Sequence, residues 1–272
     1  MKKDYIVIPA RFNSKRLPGK PLILIKDIPL IDRVISVGVQ VQKVLDDIEL
    51  IVATDDELIK EHCSKIGIKC VMTDGQISSG TERVFYSLNQ IGINPDLVIN
   101  LQGDAPFISA KQIIQTIESA RKFKAEVTTP VFNLSWVDLD ALNERKKLTP
   151  YSGTTCIIDK DGYALWFSKQ IIPSMRKEDD LRKHSLMSPV FQHLGLYCYS
   201  FECLKWFCDM PKSRYEDYEE LEQLRFLENG IKILTEVCDS PIFPISGIDS
   251  PNDVIVANKL IEDICDPYIP WR

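Results

Sequence analysis

A cluster of basic residues follows the first apolar run of the chain. Residues 6–8 are apolar and lead into Pro9, which has no backbone N–H to donate, so the pattern predicts a buried strand that stops there. Loops at the carboxyl ends of parallel strands bind ligands in open α/β sheets, and cations there suit a polyanion such as a nucleoside triphosphate. A solvated basic loop is the alternative. The cations in this stretch are Arg11, Lys15, Arg16 and Lys20.

An aspartate follows a later, nearly continuous apolar run. Residues 97–101 predict a strand at the centre of a sheet, and the chain then reads Gln102-Gly103-Asp104. A carboxylate after a tight glycine turn suits Mg²⁺, which takes one or two carboxylates plus phosphate oxygens. An aspartate that caps the next helix is the alternative. We favour the metal because the carboxylate and the cations would share one edge of the sheet.

Three other polar motifs are explained most simply by helix capping. Asp55 or Asp56 can cap the helix that follows, residues 79–81 can cap another, and Asp249 or Ser250 can cap the last. The 79–81 segment also leaves the carboxyl end of a strand, where amides and hydroxyls can contact the edge of a base. A ligand role for Asp249 needs a reason beyond capping.

The hydrophobic pattern predicts the elements that position these residues. Through residue 122 it alternates strand and helix, which is typical of a three-layer parallel sheet. Beyond it we predict strands at 126–132, 192–199 and 232–237, a hairpin over 153–167, a loop or lid over 173–191, helices at 201–208 and 216–229 with mostly exposed charges, and a frayed tail over 266–272.

The overall composition of the chain argues against some classes of function. The chain has 272 residues with 33 basic and 39 acidic side chains, a net charge of −6, which argues against a general nucleic-acid binder. Its eight cysteines form no CxxC pair and are expected to be reduced thiols of a cytoplasmic protein. No signal peptide is recognised, and no apolar run reaches the ~18 residues that a membrane span needs, so we expect no membrane partner.

Eight motifs, in this order, resemble the 3-deoxy-manno-octulosonate (Kdo) cytidylyltransferase family over nearly the whole chain. They are IPAR-x4-RLPGKPL at 8–22, VATDD at 52–56, SGTER at 79–83, NLQGD at 100–104, GYALWFSK-x3-IP at 162–173, HLGLY at 193–197, LEQLR at 221–225 and IDSPND at 248–253.

The resemblance implies transfer of CMP from CTP to the anomeric hydroxyl of a 2-keto-3-deoxy sugar acid, taken here as Kdo, with release of pyrophosphate and a requirement for Mg²⁺. A buried core histidine is the alternative for His193. The implied nucleotide-binding residues are Pro9, Ala10, Arg11, Arg16, Lys20, Ser79, Gly80 and Gln102. The implied catalytic residues are Arg16, Lys20, Asp104 and Asp249, the last two as ligands of Mg²⁺. The implied sugar-binding residues are Lys169, His193, Glu222 and Gln223.

The resemblance also implies an α/β fold with a three-layer, mostly parallel, Rossmann-like nucleotidyltransferase sheet and an antiparallel hairpin extension. We expect residues 1–272 to form a single cytidylyltransferase domain. Residues 150–200 would then be a hairpin and lid insertion that forms the sugar side and a possible homodimer interface. The product would serve lipopolysaccharide or capsule precursor synthesis.

Three departures from the family pattern lie on the expected sugar side. Ala105 replaces the Glu of QGDEP, Lys169 replaces the Arg after FS, and residues 150–156 replace PNxVKVV. They leave 8-amino-Kdo, another modified octulosonate or a nonulosonic acid open as acceptors. A sugar-1-phosphate nucleotidyltransferase would show a glycine-rich GGxGTRL loop, which Pro9-Ala10-Arg11 does not match. A non-catalytic nucleotide-binding relative is disfavoured because the basic and acidic site residues occur together.

Overall fold

The chain forms two compact units. The structure is a computed structural model that describes residues 2–14, 16–243, 245 and 247–271. The first unit comprises residues 1–114, 195–208 and 241–272, and the second comprises 115–194 and 209–240. The single domain expected from the sequence, with its 150–200 insertion, stays a prediction.

Twelve strands are present in the described residues. They are β1 (Asp4–Ala10), β2 (Leu24–Ile25), β3 (Ile28–Pro29), β4 (Ile48–Thr54), β5 (Cys70–Met72), β6 (Leu97–Leu101), β7 (Val127–Ser135), β8 (Thr155–Ile158), β9 (Ala164–Ser168), β10 (Met187–His193), β11 (Leu196–Ser200) and β12 (Ile233–Val237).

Ten α-helices accompany these strands in the same described part of the chain. They are α1 (Leu30–Gln42), α2 (Glu57–Lys65), α3 (Gly80–Gln90), α4 (Ala110–Phe123), α5 (Trp136–Leu148), α6 (Glu178–His184), α7 (Phe201–Asp209), α8 (Arg214–Glu219), α9 (Gln223–Glu228) and α10 (Pro251–Asp263). None of these helices combines the length and the apolar character that crossing a bilayer requires.

The first unit is built on a mostly parallel sheet. Its strand order is β5-β4-β1-β6-β11, with β11 antiparallel to β6 and the other neighbours parallel. Every residue of β1 is buried, as expected for a strand covered on both faces, and α1, α2 and α3 pack against the sheet. This arrangement confirms the predicted α/β class and the central position of β6. A separate two-stranded sheet pairs β2 with β3.

The second unit has its own strand pairing, in the order β12-β7-β10-β8-β9. The β8–β9 pair is the predicted antiparallel hairpin. Its turn is closed by Asp159, whose carboxylate accepts hydrogen bonds from the backbone N–H groups of Asp161 (2.9 Å) and Tyr163 (2.8 Å). The hairpin signal in the sequence, Asp-Lys-Asp-Gly, is therefore confirmed.

Four boundaries predicted from the sequence were wrong. The single strand predicted at 192–199 is the end of β10 and most of β11, with residues 194–195 between them. Strand β1 continues through Pro9, because β1 pairs with β6 only over Tyr5–Val7 and the missing N–H breaks no bond there. The stretch 173–191 contains α6 and most of β10 rather than only a loop. The helix predicted at 216–229 is two helices, because Glu220 adopts a left-handed conformation (φ 49°) that ends α8.

The carboxyl-terminal tail is held in place, contrary to the prediction that it frays. Arg33, whose side chain is 1% exposed, donates to both carboxylate oxygens of Asp266 at 2.6 and 3.1 Å and also to the carbonyl of Ile25. Ser36 Oγ donates to the carbonyl of Ile269 at 2.6 Å. The tail is therefore part of the packing around α1.

A buried ion pair joins α8 to α9. Arg225 donates to both carboxylate oxygens of Glu216, at 2.7 and 2.6 Å, and each side chain is 4% exposed. Arg225 also donates to the carbonyl of Met210 at 3.1 Å. The polar and charged side chains of this stretch were expected to be mostly exposed, but Glu216, Gln223 and Arg225 are buried. Paired geometry of this kind removes most of the cost of desolvating the two charges.

We expect Glu216→Ala to lower the free energy of unfolding by about 3–5 kcal/mol, because it leaves the Arg225 guanidinium buried without its carboxylate. Urea denaturation measures the change. Glu144→Ala is the matched control, since Glu144 pairs with Lys147 on the surface and such pairs contribute about 0–1 kcal/mol. Equal losses in the two variants would contradict the inference.

Candidate active site

A cavity of about 350 Å³ lies in the first unit where β1 and β6 end. It brings together most of the residues that the sequence assigned to a nucleotide: Pro9, Ala10, Arg11, Arg16, Lys20, Gly80, Gln102 and Asp104. Its lining also includes residues that sequence reasoning missed: Asn13, Ser14, Pro21, Arg83 and Gly103. Lys15, the fourth predicted cation, lies outside the described residues.

The loop after β1 is folded back on itself, which positions its cations. The carbonyl of Phe12 accepts hydrogen bonds from the N–H groups of Ser14 (2.9 Å) and Gly19 (3.0 Å). Gly19 adopts a left-handed conformation (φ 68°) that other residues rarely take, and it begins the single 3₁₀ turn Lys20–Leu22. The cations Arg11, Arg16 and Lys20 of this loop all line the cavity.

The charged centre of the site is the Lys20 ammonium. Its Nζ atom lies 2.6 Å from Asp104 Oδ2 and 3.1 Å from Asp249 Oδ1, and the side chain is 15% exposed. Arg16 reaches the same Asp249 oxygen at 3.1 Å. Burial alone would lower the Lys20 pKa, but the carboxylates of Asp104 and Asp249 outweigh it and raise the pKa above its ordinary value. Lys20 is therefore a permanent cation.

Two glycines allow the backbone to approach Asp104 closely. A Cβ atom on Gly103 would lie 2.5 Å from the carbonyl oxygen of Pro9, so no other residue fits there without moving β1. A Cβ on Gly247 would lie 3.3 Å from the carbonyl of Asp104, which also accepts a hydrogen bond from Ile248 N–H at 2.9 Å. The end of β6 and the segment before α10 therefore meet at Asp104.

The capping motifs have the roles that the sequence suggested. Asp56 caps α2, Ser79 caps α3 and Ser250 caps α10, in a capping box with Asp253. The contact of Asp249 with Lys20 gives Asp249 a role beyond capping. The nucleotide-binding role of Ser79 stays a prediction.

Arg83 is a cavity residue that sequence reasoning missed. Its fully buried guanidinium donates to Asp55 Oδ2 and to the carbonyl of Ile77, each at 2.9 Å, and it also contacts Thr73. Burial lowers the Arg83 pKa, and the Asp55 carboxylate partly offsets that effect. The available signal was helical spacing, because Arg83 follows Ser79 by one turn of α3 and so shares its face.

Buried polar atoms around this cavity lack partners within the described residues. Arg11 Nε, Arg83 Nε and Asp55 Oδ1 are buried without a hydrogen bond. Nearly all buried polar atoms in folded proteins are hydrogen-bonded to protein or to ordered water, so these two donors and one acceptor need partners that the described residues do not supply.

The acidic residues of the site fit a divalent cation. Among the residues that the structure describes, no three His, Cys, Asp or Glu side chains come together as a metal site. The carboxylates of Asp104 and Asp249 nevertheless meet at one ammonium, so two hard oxygen ligands converge on one position. Mg²⁺ typically takes one or two carboxylates and completes its shell with water and phosphate oxygens.

The residues predicted to bind the sugar lie in the second unit. Lys169 Nζ lies 3.8 Å from Glu220 Oε2. Gln223 is 4% exposed, and its Nε2 has no hydrogen-bond partner in the described part of the chain. Glu222 precedes α9 at the cap position and is half-buried.

His193 is buried at the end of β10. Its Nε2 lies 2.8 Å from Thr129 Oγ1, and its ring packs edge-on against Phe167. Burial lowers the His193 pKa to about 3, so the imidazole is neutral at physiological pH. These are the features of the core-histidine alternative, and a sugar contact by this neutral ring stays a prediction.

A family model described as "Cytidylyltransferase" matches residues 5–233. The chain belongs to the cytidylyltransferase family. A 3-deoxy-manno-octulosonate cytidylyltransferase from Thermodesulfovibrio yellowstonii is 37% identical to this cytidylyltransferase over 261 residues, which are 94% of this chain and 96% of the relative. An 8-amino-3,8-dideoxy-manno-octulosonate cytidylyltransferase from Shewanella piezotolerans is 37% identical over 252 residues, 92% of this chain and 94% of the relative.

Solved structures share the fold of this cytidylyltransferase. The structure of CMP:2-keto-3-deoxy-manno-octonic acid synthetase complexed with CTP has a TM-score of 0.81 and 30% identity, covering 96% of this chain and 99% of that one. A 4-diphosphocytidyl-2C-methyl-D-erythritol synthase from Anaerococcus prevotii has a TM-score of 0.59 at 15% identity, covering 96% and 99%, and shares the fold alone. The chain is thus a nucleotidyltransferase, as the sequence predicted.

We expect the His193 imidazole to remain neutral from pH 8 down to pH 5, because its folded-state pKa is about 3 rather than 6.5. The stabilisation from burying the neutral ring is complete above pH 6.5 and declines as the pH falls toward 3. An NMR titration of the histidine ring resonances measures this, with partly exposed His62 and exposed His184 as internal comparisons. A midpoint near 6.5 for His193 would contradict the buried, neutral assignment.

Proposed function

We propose that this cytidylyltransferase transfers CMP from CTP to the anomeric hydroxyl of a 2-keto-3-deoxy sugar acid, Kdo in the first instance, and releases pyrophosphate. The observation that carries the proposal is the cluster of Arg16, Lys20, Asp104 and Asp249 beside the cavity at the ends of β1 and β6. The names of the relatives and the CTP complex of the similar structure support it.

The reaction is a displacement at phosphorus. The acceptor hydroxyl oxygen attacks the α-phosphorus of CTP, the bond from that phosphorus to the oxygen of the β-phosphate breaks, and pyrophosphate leaves with the electron pair while the hydroxyl proton is released to solvent. Both substrates are anions, so the protein must neutralise charge and hold the two groups in line. Arg16 and Lys20 are the cations for the triphosphate.

Asp104 and Asp249 are the proposed ligands of Mg²⁺. The ion would neutralise phosphate charge and polarise the attacking hydroxyl, which can serve in place of a dedicated general base. The nucleotide would be bound by Arg11, Gln102, Gly80 and Ser79 and by the backbone of Pro9 and Ala10. Gln102 is oriented for this role by a 3.1 Å hydrogen bond from its Nε2 to Asn100 Oδ1.

Lys169, Gln223, Glu222 and His193 are the proposed acceptor-binding residues. The Lys169 ammonium would attract the carboxylate beside the anomeric carbon, as a point charge without the two parallel bonds of an arginine. Gln223 Nε2, which has no hydrogen-bond partner among the described residues, would donate to an acceptor oxygen. His193 would contribute hydrogen bonds without charge, because its pKa is about 3.

A second candidate is the same chemistry on an 8-amino-3,8-dideoxy sugar acid. It is favoured by relatives of that name at 37% identity. An ammonium on the acceptor needs a carboxylate partner, and Glu222 is the candidate among the proposed acceptor residues. Comparing the two sugar acids as substrates decides between the candidates.

Three broader expectations belong to the same proposal. The enzyme would work in the cytoplasm, which agrees with eight free cysteines. It would act as a homodimer, with the β8–β9 hairpin region as the interface. Its product would feed lipopolysaccharide or capsule synthesis.

We expect CTP to be preferred over UTP by at least about tenfold in kcat/KM, because each buried polar group left unpaired by the wrong base costs about 1–3 kcal/mol. Pyrophosphate release is measured with each nucleotide and with Kdo, its 8-amino analogue and a nonulosonic acid. Equal turnover of CTP and UTP would contradict the nucleotide assignment. If only a nonulosonic acid gives product, the proposed reaction is retained, but the acceptor is a nonulosonic acid rather than Kdo.

We expect Asp104→Asn and Asp249→Asn each to lower kcat by about a thousandfold, since several kcal/mol of metal-based charge stabilisation is lost while the side-chain shape is kept. The double variant should be little worse than either single one if both carboxylates bind one ion. Kinetics at saturating Mg²⁺ measure the effect, and circular dichroism controls for folding. A nearly normal Asp104→Asn enzyme would refute the metal assignment.

A further inference from the structure

The chain that leaves β9 is held on one side by Glu219. Glu219 Oε1 accepts a hydrogen bond from Ser168 Oγ and its Oε2 accepts one from the backbone N–H of Lys169, each at 2.8 Å. Ser168 Oγ in turn accepts from the N–H of Gln170 at 2.9 Å. A single carboxylate at the end of α8 therefore fixes the start of this segment.

Lys146, in α5, holds the same segment from the opposite side of the peptide chain. Its Nζ donates to the carbonyl of Lys169 at 2.6 Å, to that of Ser152 at 2.5 Å and to that of Pro150 at 3.4 Å. An ammonium has three N–H donors, and these three carbonyls use them. Lys146 therefore acts on the backbone, and the Lys169 residue is gripped at both its N–H and its C=O.

Thr155 fixes the part of the same segment that follows Lys169. Its hydroxyl donates to the carbonyl of Gln170 at 2.7 Å and accepts from the N–H of Ile172 at 3.2 Å. Residues 150–156 and Lys169 both depart from the family pattern, and Lys146 bonds both of them, while Thr155 bonds the residues that follow Lys169. The two departures are thus one connected unit of structure.

Among the described residues, by contrast, one distant ion pair is all that holds the charged end of the Lys169 side chain. Its nearest carboxylate, Glu220 Oε2, lies 3.8 Å from Nζ, and the Glu220 side chain is 86% exposed. A lysine is a point charge on a flexible stem, so the place where it presents its charge depends on where its backbone is anchored. An arginine, the usual family residue at this position, depends less on its backbone, because its planar guanidinium can bind a carboxylate through two parallel hydrogen bonds.

We propose that Glu219 and Lys146 are positioning residues that fix the Lys169 backbone and so set how tightly the acceptor carboxylate is recognised. The inference rests on the proposed function, in which Lys169 contacts that carboxylate. Without the anchor, Lys169 keeps its charge, but its ammonium occupies a wider range of positions. Displacements of about 1 Å at a substrate-positioning group can cost as much as 10²-fold in rate.

The decisive variant pair is Glu219→Ala and Glu219→Gln. Glu219→Ala should raise the acceptor KM by about tenfold or more and leave the CTP KM within about twofold, since uniform binding of one substrate is lost. Glu219→Gln should restore most of the loss, because its amide oxygen can accept from Lys169 N–H while its amide N–H donates to Ser168 Oγ. An unchanged acceptor KM in Glu219→Ala, or no recovery in Glu219→Gln, would overturn the inference.

Lys146→Met tests the other side of the clamp against a matched control. It should raise the acceptor KM in the same way as Glu219→Ala, since it frees the Lys169 carbonyl. Lys147→Met alters the neighbouring lysine of the same helix, whose surface partner is Glu144, and should leave both KM values unchanged. Equal effects of the two lysine variants would overturn the inference.

A double-mutant cycle separates positioning from general structural damage. Glu219→Ala should have no further effect on the acceptor KM in a Lys169→Ala background, because the anchor acts through Lys169. A full effect in that background would show that Glu219 acts independently and would overturn the proposal. Absence of pyrophosphate release by the wild-type enzyme with CTP and any keto-deoxy sugar acid would instead refute the proposed function, and the positioning inference with it.

Discussion

The contact of one ammonium with two carboxylates is the constraint on which the candidate active site depends. Lys20 follows β1, Asp104 follows β6 and Asp249 precedes α10, and they meet across 84 and 229 positions of sequence. Two carboxylates this close repel each other unless a cation lies between them. The folded loop after β1, the glycine turn after β6 and the capped start of α10 all serve to bring that cation and those carboxylates together.

Paired charges also stabilise the second unit, where buried and half-buried charged side chains hold the backbone in place. Arg225 and Glu216 join α8 to α9, and Glu219 and Lys146 hold the chain after β9. A buried charge is costly unless it is fully hydrogen-bonded, so such residues fix one geometry rather than permit several. In the proposed enzyme this rigidity suits an acceptor site that depends on a flexible lysine.

The similarity to relatives accounts for the cavity in the first unit better than for the segments around Lys169. The family model covers β1 and β6, and the residues at the ends of these strands line the cavity. The departures at 150–156 and at Lys169 are connected through Lys146, which donates to the carbonyls of Ser152 and Lys169. Changes that share hydrogen bonds are energetically coupled, so they are best understood as one local alternative to the family arrangement.

The sequence by itself determined the α/β class, the central position of β6, the hairpin turn and the helix caps, because apolar periodicity, turn residues and capping side chains act within a few residues of one another. It also indicated that Arg16, Lys20 and Asp104 share one sheet edge, since parallel strands align their carboxyl ends. Only the tertiary structure decided that Arg83 pairs with Asp55 and that the carboxyl-terminal tail is anchored to Arg33. Those contacts join distant parts of the chain, and whether a charge is buried and which partner it finds depends on packing that no local pattern encodes.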